Sequence, residues 1–240
     1  MNYLCLGCSA VYSERVAYCG HCLSGGNGVV PVPVAVRGRA VELGPRRRAG
    51  AVPASRLRPD DSVAPYSEPW STWRLGQRHA LLLFGPPGSG KSTVATRLSV
   101  SAARRVEVLY AAVEEGHSVA LRERLVRAGL DDIAGRRLRV SDARDLAELA
   151  DDLGSASLVV IDSVSELAVS PLALVEVLGD RSWIAVQHAN SRGGAHGGYE
   201  WSHATDAVVR VEAGVATPLK NRFGSMDPIN VFEREASDAG

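Results

Sequence analysis

The 240-residue chain has no net charge, because 27 basic side chains match 27 acidic ones. Nucleic-acid binding through a bulk positive field is therefore excluded, and any such contact has to come from local patches. No apolar run has the length of a membrane span, and the first residues have no signal-peptide core. The expectation is a cytoplasmic protein with no membrane partner. No cysteine follows Cys22, so the main body has no disulfide framework. What is present suits a globular protein: 45% hydrophobic and 22% charged residues, in a chain long enough for one large core plus a small module.

The four cysteines read Cys5-x-x-Cys8, a spacer of ten residues, then Cys19-x-x-Cys22. Two disulfides can be drawn, but a cytosolic chain keeps thiols reduced. Two C-x-x-C knuckles are the usual frame for tetrahedral Zn²⁺ on four thiolates. So short a segment has little apolar surface, and the metal would supply much of its folding free energy. With every ligand place filled by cysteine, the site is structural. The expected organisation is a four-cysteine zinc finger over 1–28, a basic Pro/Arg-rich linker over 29–62, a P-loop domain over 63–234 and a disordered tail over 235–240. Between Val36 and Arg58 stand seven arginines and one acid, Glu42. That stretch either lies along a phosphate backbone or is a solvated tether. Residues 59–76 carry Trp70 and Trp73 and are expected to pack over the edge of the following domain, near a nucleotide base.

The segment Gly85-Pro86-Pro87-Gly88-Ser89-Gly90-Lys91-Ser92-Thr93 fits G-x-x-x-x-G-K-[ST]. An apolar run, Ala80 to Phe84, precedes it and reads as a buried strand; a helix pattern with Val94, Leu98 and Ala102 on one face follows. In that context the glycines let backbone N–H groups wrap a phosphate at a helix N-terminus. Lys91 is expected on the β- and γ-phosphates of ATP and the Ser92 hydroxyl on Mg²⁺. Further along, Leu158-Val159-Val160-Ile161-Asp162 is an apolar strand ending in a carboxylate, which places Asp162 beside the same Mg²⁺. Glu114 and Glu115 follow the strand Val106 to Ala112, which is expected next to the P-loop strand. Glu114 is the preferred carboxylate for orienting the attacking water, with helix capping as the other reading. The strand Trp183 to Val186 ends at Gln187 and His188, candidates for contact with the nucleotide. The glycine-rich loop 189–203 offers Arg192 for phosphate and Tyr199 and Trp201 for base stacking, or else is a surface hairpin. Alternating strands and helices predict an α/β core, a mostly parallel sheet with helices on both faces.

The paired C-x-x-C knuckles, the P-loop, Glu114-Glu115, the Asp162-Ser163 strand end and the complete string Lys220-Asn221-Arg222-Phe223-Gly224 together resemble the RadA/Sms family. Ser225, then Val231-Phe232-Glu233, and His203 with Asp206 extend the likeness over nearly the whole chain. The resemblance implies a RecA-like ATPase core behind a zinc finger. It implies DNA-stimulated ATP hydrolysis on single-stranded or branched DNA in recombination and repair. It also implies a homo-oligomeric ring, with a hexamer as the leading size, and a recombinase or helicase partner reached through the finger. Gln187 or His188 would sense the γ-phosphate. Lys220 and Arg222, alternating on one strand, would act in a neighbour's ATP site as finger cations. The chain departs from the family at Ser71 to Gly76, where a Gly-Gly-Gly element is missing, and at His188-Ala189-Asn190-Ser191, where a Lys is missing. It resembles a short member without the Lon-protease-like C-terminal domain. Two rival classes are an ATP-gated DNA- or partner-binding module with little turnover, and a P-loop small-molecule kinase. The latter leaves the cysteine knuckles and the Lys220–Gly224 string unexplained.

Overall fold

The structure is a computed structural model and describes residues 2–5, 11–12, 29–32, 64–67, 69–75, 78–191, 193–195 and 198–232. The chain divides into two units, Met1–Gly44 and Pro45–Gly240. In the first, β1 (Asn2–Cys5) lies between β2 (Val11–Tyr12) and β3 (Val29–Val32), all antiparallel, with Cys5 opposite Val29. The stretch 29–32, assigned to the linker from its sequence, thus pairs along β1. Pro31 is tolerated there because β3 is an edge strand. Of the expected zinc ligands only the Cys5 backbone is described; Cys8, Cys19 and Cys22 lie outside the described residues, as do the arginine-rich linker and the tail.

The second unit opens with a ribbon of β4 (Ala64–Pro65) and β5 (Arg74–Leu75). Then follow β6 (Ala80–Gly85), α1 (Lys91–Ala103), β7 (Val108–Ala111), α2 (Val119–Arg127), α3 (Asp132–Arg137), β8 (Leu138–Ser141), α4 (Leu146–Asp152), β9 (Leu158–Asp162), α5 (Val164–Leu167), α6 (Pro171–Leu178), β10 (Ser182–His188), α7 (Gly198–Ala204), β11 (Ala207–Glu212), β12 (Val215–Asn221) and β13 (Ile229–Asn230). One eight-stranded sheet has the order β13-β12-β11-β6-β10-β9-β7-β8. It is parallel from β11 to β8 and antiparallel at β12 and β13.

Every residue of β6, β7 and β9 is buried, as apolar runs covered on both faces require. Strand alternation splits them. Leu81 and Leu83 pack with Val94 and Leu98 of α1 and Leu121 and Leu125 of α2; Leu82 and Phe84 pack with Leu149 of α4 and Leu174 and Leu178 of α6. Helices therefore cover both faces, and the mostly parallel P-loop α/β core expected from the sequence is the fold observed. Ser118, Asp131, Asp145 and Ser170 start α2, α3, α4 and α6 by accepting hydrogen bonds from first-turn amides.

Two expectations for aromatic residues change. Trp70 and Trp73 are buried, 5.0 Å apart, in the core cluster that includes α1. Their segment is tied to α1 where Ser67 N–H donates to Ser101 Oγ at 2.7 Å. Ser101 is about 15 Å along the helix from Lys91 at 1.5 Å per residue, so this tie lies away from the phosphate loop. The stretch read as an open loop over 189–203 closes early: Ala189 bridges Ala195, and α7 begins at Gly198. No helix among the described residues is long and apolar enough to cross a membrane.

Candidate active site

β6 ends in the phosphate loop, and its backbone shape depends on glycine. A Cβ on Gly85 would meet the Val211 carbonyl oxygen at 1.9 Å. Gly90 has φ +103°, a left-handed conformation that lets it cap α1 without a side-chain clash. Lys91 is buried in the first turn of α1, and its Nζ donates to the Pro86 carbonyl at 2.8 Å. Burial lowers its pKa, and the carboxylates of Asp162 and Glu114 pull the other way. Ser92 follows, half-buried, on the same turn.

Asp162 ends β9, buried. The register sets Val186 beside Asp162 and His188 beside Gly85, so β10 separates the phosphate-loop strand from the Asp162 strand. Gln187 and His188 thereby stand between the loop and the carboxylate. This is the carboxyl edge of an open α/β sheet, where ligands bind. Four buried polar atoms at this edge have no hydrogen-bond partner among the described residues: Ser89 Oγ, Ser163 Oγ, Gln187 Oε1 and His188 Nδ1. Buried polar groups are normally paired. Unpaired oxygens around a desolvated lysine and a buried carboxylate fit a site shaped for a phosphate chain and its Mg²⁺.

The strand carrying Glu114 is not where it was expected. β7 pairs with β8 and β9, and the neighbours of β6 are β10 and β11. Glu114 still reaches the site from beyond Asp162: its N–H donates to the Asp162 carbonyl at 3.2 Å, and its Oε2 is 3.7 Å from His188 Nε2. Glu115 turns the other way. It pairs with Arg124 of α2 and accepts from Ser118 Oγ at 3.1 Å, which makes it part of the α2 start.

Lys220 and Arg222 lie at the other end of β6. Lys220 Nζ donates to the carbonyls of Ser202, at 2.7 Å, and Thr205, closing the C-terminal end of α7. Burial, then the charge of Arg222, lowers its pKa. Arg222, one residue past β12, donates to Asp206 Oδ1 at 2.9 Å, and Asp206 Oδ2 accepts from the Ala80 N–H at 3.0 Å. Ala80 and Gly85 bound a six-residue strand, so the pair is about 17 Å from its own phosphate loop.

Trp201 is corrected from a base-stacking residue to a core residue. It is 4% exposed and packs edge-on against Trp183 at 6.1 Å. The α7 turn carries it inward, whereas Tyr199, two positions earlier, is 76% exposed with its ring 4.1 Å from that of His203. Arg192 lies outside the described residues. Tyr110 and Arg124 escaped the sequence reading. Tyr110 Oη donates to Asp162 Oδ2 at 2.7 Å. The available signal was a tyrosine inside an aliphatic, fully buried strand, since a buried phenol needs a partner.

A family model described as "AAA domain" matches residues 60–170. The curated "DNA repair protein RadA" of Haemophilus influenzae (strain ATCC 51907 / DSM 11121 / KW20 / Rd) is 27% identical over 177 residues, which cover 64% of this chain and 38% of that protein. The chain therefore spans well under half the length of that relative. Among solved structures, a KaiC-like protein of the hyperthermophilic archaeon Pyrococcus horikoshii OT3 matches with TM-score 0.49 and 16% identity, over 64% of this chain and 85% of that one.

Proposed function

We propose that this chain is an ATP hydrolase that works as a homo-oligomer on single-stranded or branched DNA in recombination and repair. The observation that carries the ATPase reading is the convergence of Lys91, Asp162, Gln187 and Glu114 at one sheet edge beside three unpaired buried oxygens. On ATP binding, Lys91 exchanges the Pro86 carbonyl for the β- and γ-phosphate oxygens. The phosphate-loop amides from Gly88 to Thr93 hold the chain of phosphates in place. Ser92 and Asp162 would hold Mg²⁺, which when bound neutralises charge on the phosphate oxygens. Glu114 orients a water against the γ-phosphate and takes its proton; Gln187 hydrogen-bonds the same region and links it to the 189–203 segment. His188, beside Glu114, holds that carboxylate before the substrate enters.

Lys220 and Arg222 are too far from their own phosphate loop to reach it, which supports a role in a neighbour's site and hence a ring. The relative's name, a DNA repair protein, supports the DNA reading. Tyr199 supplies an exposed stacking surface seven positions after Arg192 in the chain. Four thiolates, Cys5, Cys8, Cys19 and Cys22, suit a closed Zn²⁺ site that orders the N-terminal unit and presents it to a recombinase or helicase. The paired state of Lys220 and Arg222 favours a second reading: an ATP-gated binding module whose isolated subunit turns over slowly. Steady-state ATP hydrolysis with and without single-stranded DNA, in the wild type and in Lys91→Ala, separates the two.

A further inference from the structure

The phosphate-loop reading leaves a buried polar chain unexplained. It begins at Asp162, whose Oδ2 accepts a hydrogen bond from Tyr110 Oη at 2.7 Å. Tyr110 is wholly buried on β7, one strand away from Asp162. The Arg124 guanidinium lies beside the same phenol, where its charge works against the burial that raises the Tyr110 pKa. Arg124 also pairs with Glu115, and Glu115 accepts from Ser118 Oγ, whose other role is to cap α2 by accepting from the Leu121 N–H at 3.0 Å. Arg124 and Glu115 are both mostly covered, with side chains 22% and 24% exposed. Burying a guanidinium, a phenol and two carboxylates costs stability unless each is satisfied, and a hydrophobic replacement is often no worse. The chain therefore asks for a role beyond stability.

Geometry supplies one. Asp162 has two oxygens, and Tyr110 occupies Oδ2, leaving Oδ1 as the oxygen to present to an ion. The loop that carries Glu114 is held at two points: Glu114 N–H on the Asp162 carbonyl, and Glu115 on Arg124. Tyr110 thus fixes the rotamer of the metal-side carboxylate, and Arg124, beside that phenol, holds the loop of the water-side carboxylate through Glu115. We propose that Tyr110 and Arg124 are positioning residues that set Asp162 toward the nucleotide's metal ion and lock the Glu114 loop to it. The proposal rests on the ATPase reading of the site. Neither residue touches substrate; each acts through a carboxylate. Outer groups of this kind typically contribute ten- to a hundredfold in metal affinity or activity.

The test uses the full chain and a fluorescent ATP analogue, titrated once with excess Mg²⁺ and once with EDTA. The wild type should bind more tightly with Mg²⁺. Tyr110→Phe keeps the ring and removes the hydroxyl; it should bind as the wild type does in EDTA, lose about tenfold in affinity in Mg²⁺, and need correspondingly more Mg²⁺ at half-saturation. A purely structural role would weaken both titrations together. Arg124→Met should show the same Mg²⁺ loss and in addition a fall in kcat, because the Glu114 loop is released. Should Tyr110→Phe fail to fold, Glu115→Gln loosens Arg124 from the periphery and should give a smaller loss confined to the Mg²⁺ titration. Wild-type Mg²⁺ dependence in both Tyr110→Phe and Arg124→Met, or in Glu115→Gln where that variant is the one tested, overturns the proposal and leaves the ATPase reading standing. A wild type with no Mg²⁺-dependent nucleotide affinity overturns both.

Discussion

Replacing Trp201 with alanine should unfold the protein more readily and leave the chemistry of DNA contact to Tyr199. Trp201 is 4% exposed and lies edge-on to Trp183 at 6.1 Å, within the cluster that includes Leu174 and Leu178 of α6. A buried aromatic side chain removes roughly 200 Å² from water, worth about 5 kcal/mol at 25 cal/mol per Å². Partial collapse around the vacated space recovers some of this, and Trp→Ala in a core costs about 3–5 kcal/mol. With a urea m-value of about 2–3 kcal/mol/M, the midpoint should fall by about 1–2.5 M. Tyr199→Ala removes a ring that is 76% exposed, and its stability should change by less than about 0.5 kcal/mol. The assay is urea unfolding followed by intrinsic fluorescence and circular dichroism, with single-stranded DNA affinity measured well below the transition. Base stacking contributes about 1–3 kcal/mol per base, so Tyr199→Ala should weaken DNA binding within that range. The reasoning is refuted if Trp201→Ala keeps wild-type stability and loses DNA affinity, because then the indole faces a ligand and not the core.

Glu114→Gln should remove hydrolysis while keeping nucleotide affinity, whereas Glu115→Gln, whose partners are Arg124 and Ser118, should keep most of its turnover; equal loss in both, seen in phosphate-release kinetics, contradicts the division between them. Protein purified under reducing conditions should contain one Zn²⁺ per chain by elemental analysis, and Cys5→Ser should lose it while leaving the melting of the Pro45–Gly240 unit in place; metal-free wild-type protein speaks against the four-cysteine site. Arg222→Ala should bind ATP normally but hydrolyse it poorly, and mixing it with Glu114→Gln subunits should restore activity at interfaces where the second donates its Arg222 to the first. Mixed rings no more active than their parents return Arg222 to its contact with Asp206 as its whole role.

The parts of the site that lie in one run of residues were legible in the sequence. The phosphate loop is nine consecutive positions, Gly85 to Thr93, and the strand–loop–helix frame around it follows from apolar periodicity over the same window. Asp162 was legible for the same reason, as the end of an unbroken apolar strand. Lateral strand order was not. β7 comes next after α1 in the chain but two other strands separate it from β6 in space, and nothing in local periodicity encodes that crossover. Trp201 misled because the glycines that precede α7 read as open loop and hide a seven-residue helix, too short for a periodic signal. α3 leaves no signal in the sequence, because it buries Ala134 alone and so has no apolar stripe. The Tyr110–Asp162 contact joins residues 52 apart, and only the pairing of β7 with β9 brings them together.

The central claim, a DNA-coupled ATPase built on Lys91, Glu114 and Asp162, meets its most direct test in the steady-state rate of ATP hydrolysis with and without single-stranded DNA. Lys91→Ala serves as the blank, and oligomer size is measured in the same solution. The account predicts Mg²⁺-dependent turnover that rises on addition of DNA, in an assembled rather than a monomeric species, and no turnover in Lys91→Ala. Hydrolysis that persists in Lys91→Ala, or a wild type whose rate DNA leaves unchanged, contradicts it.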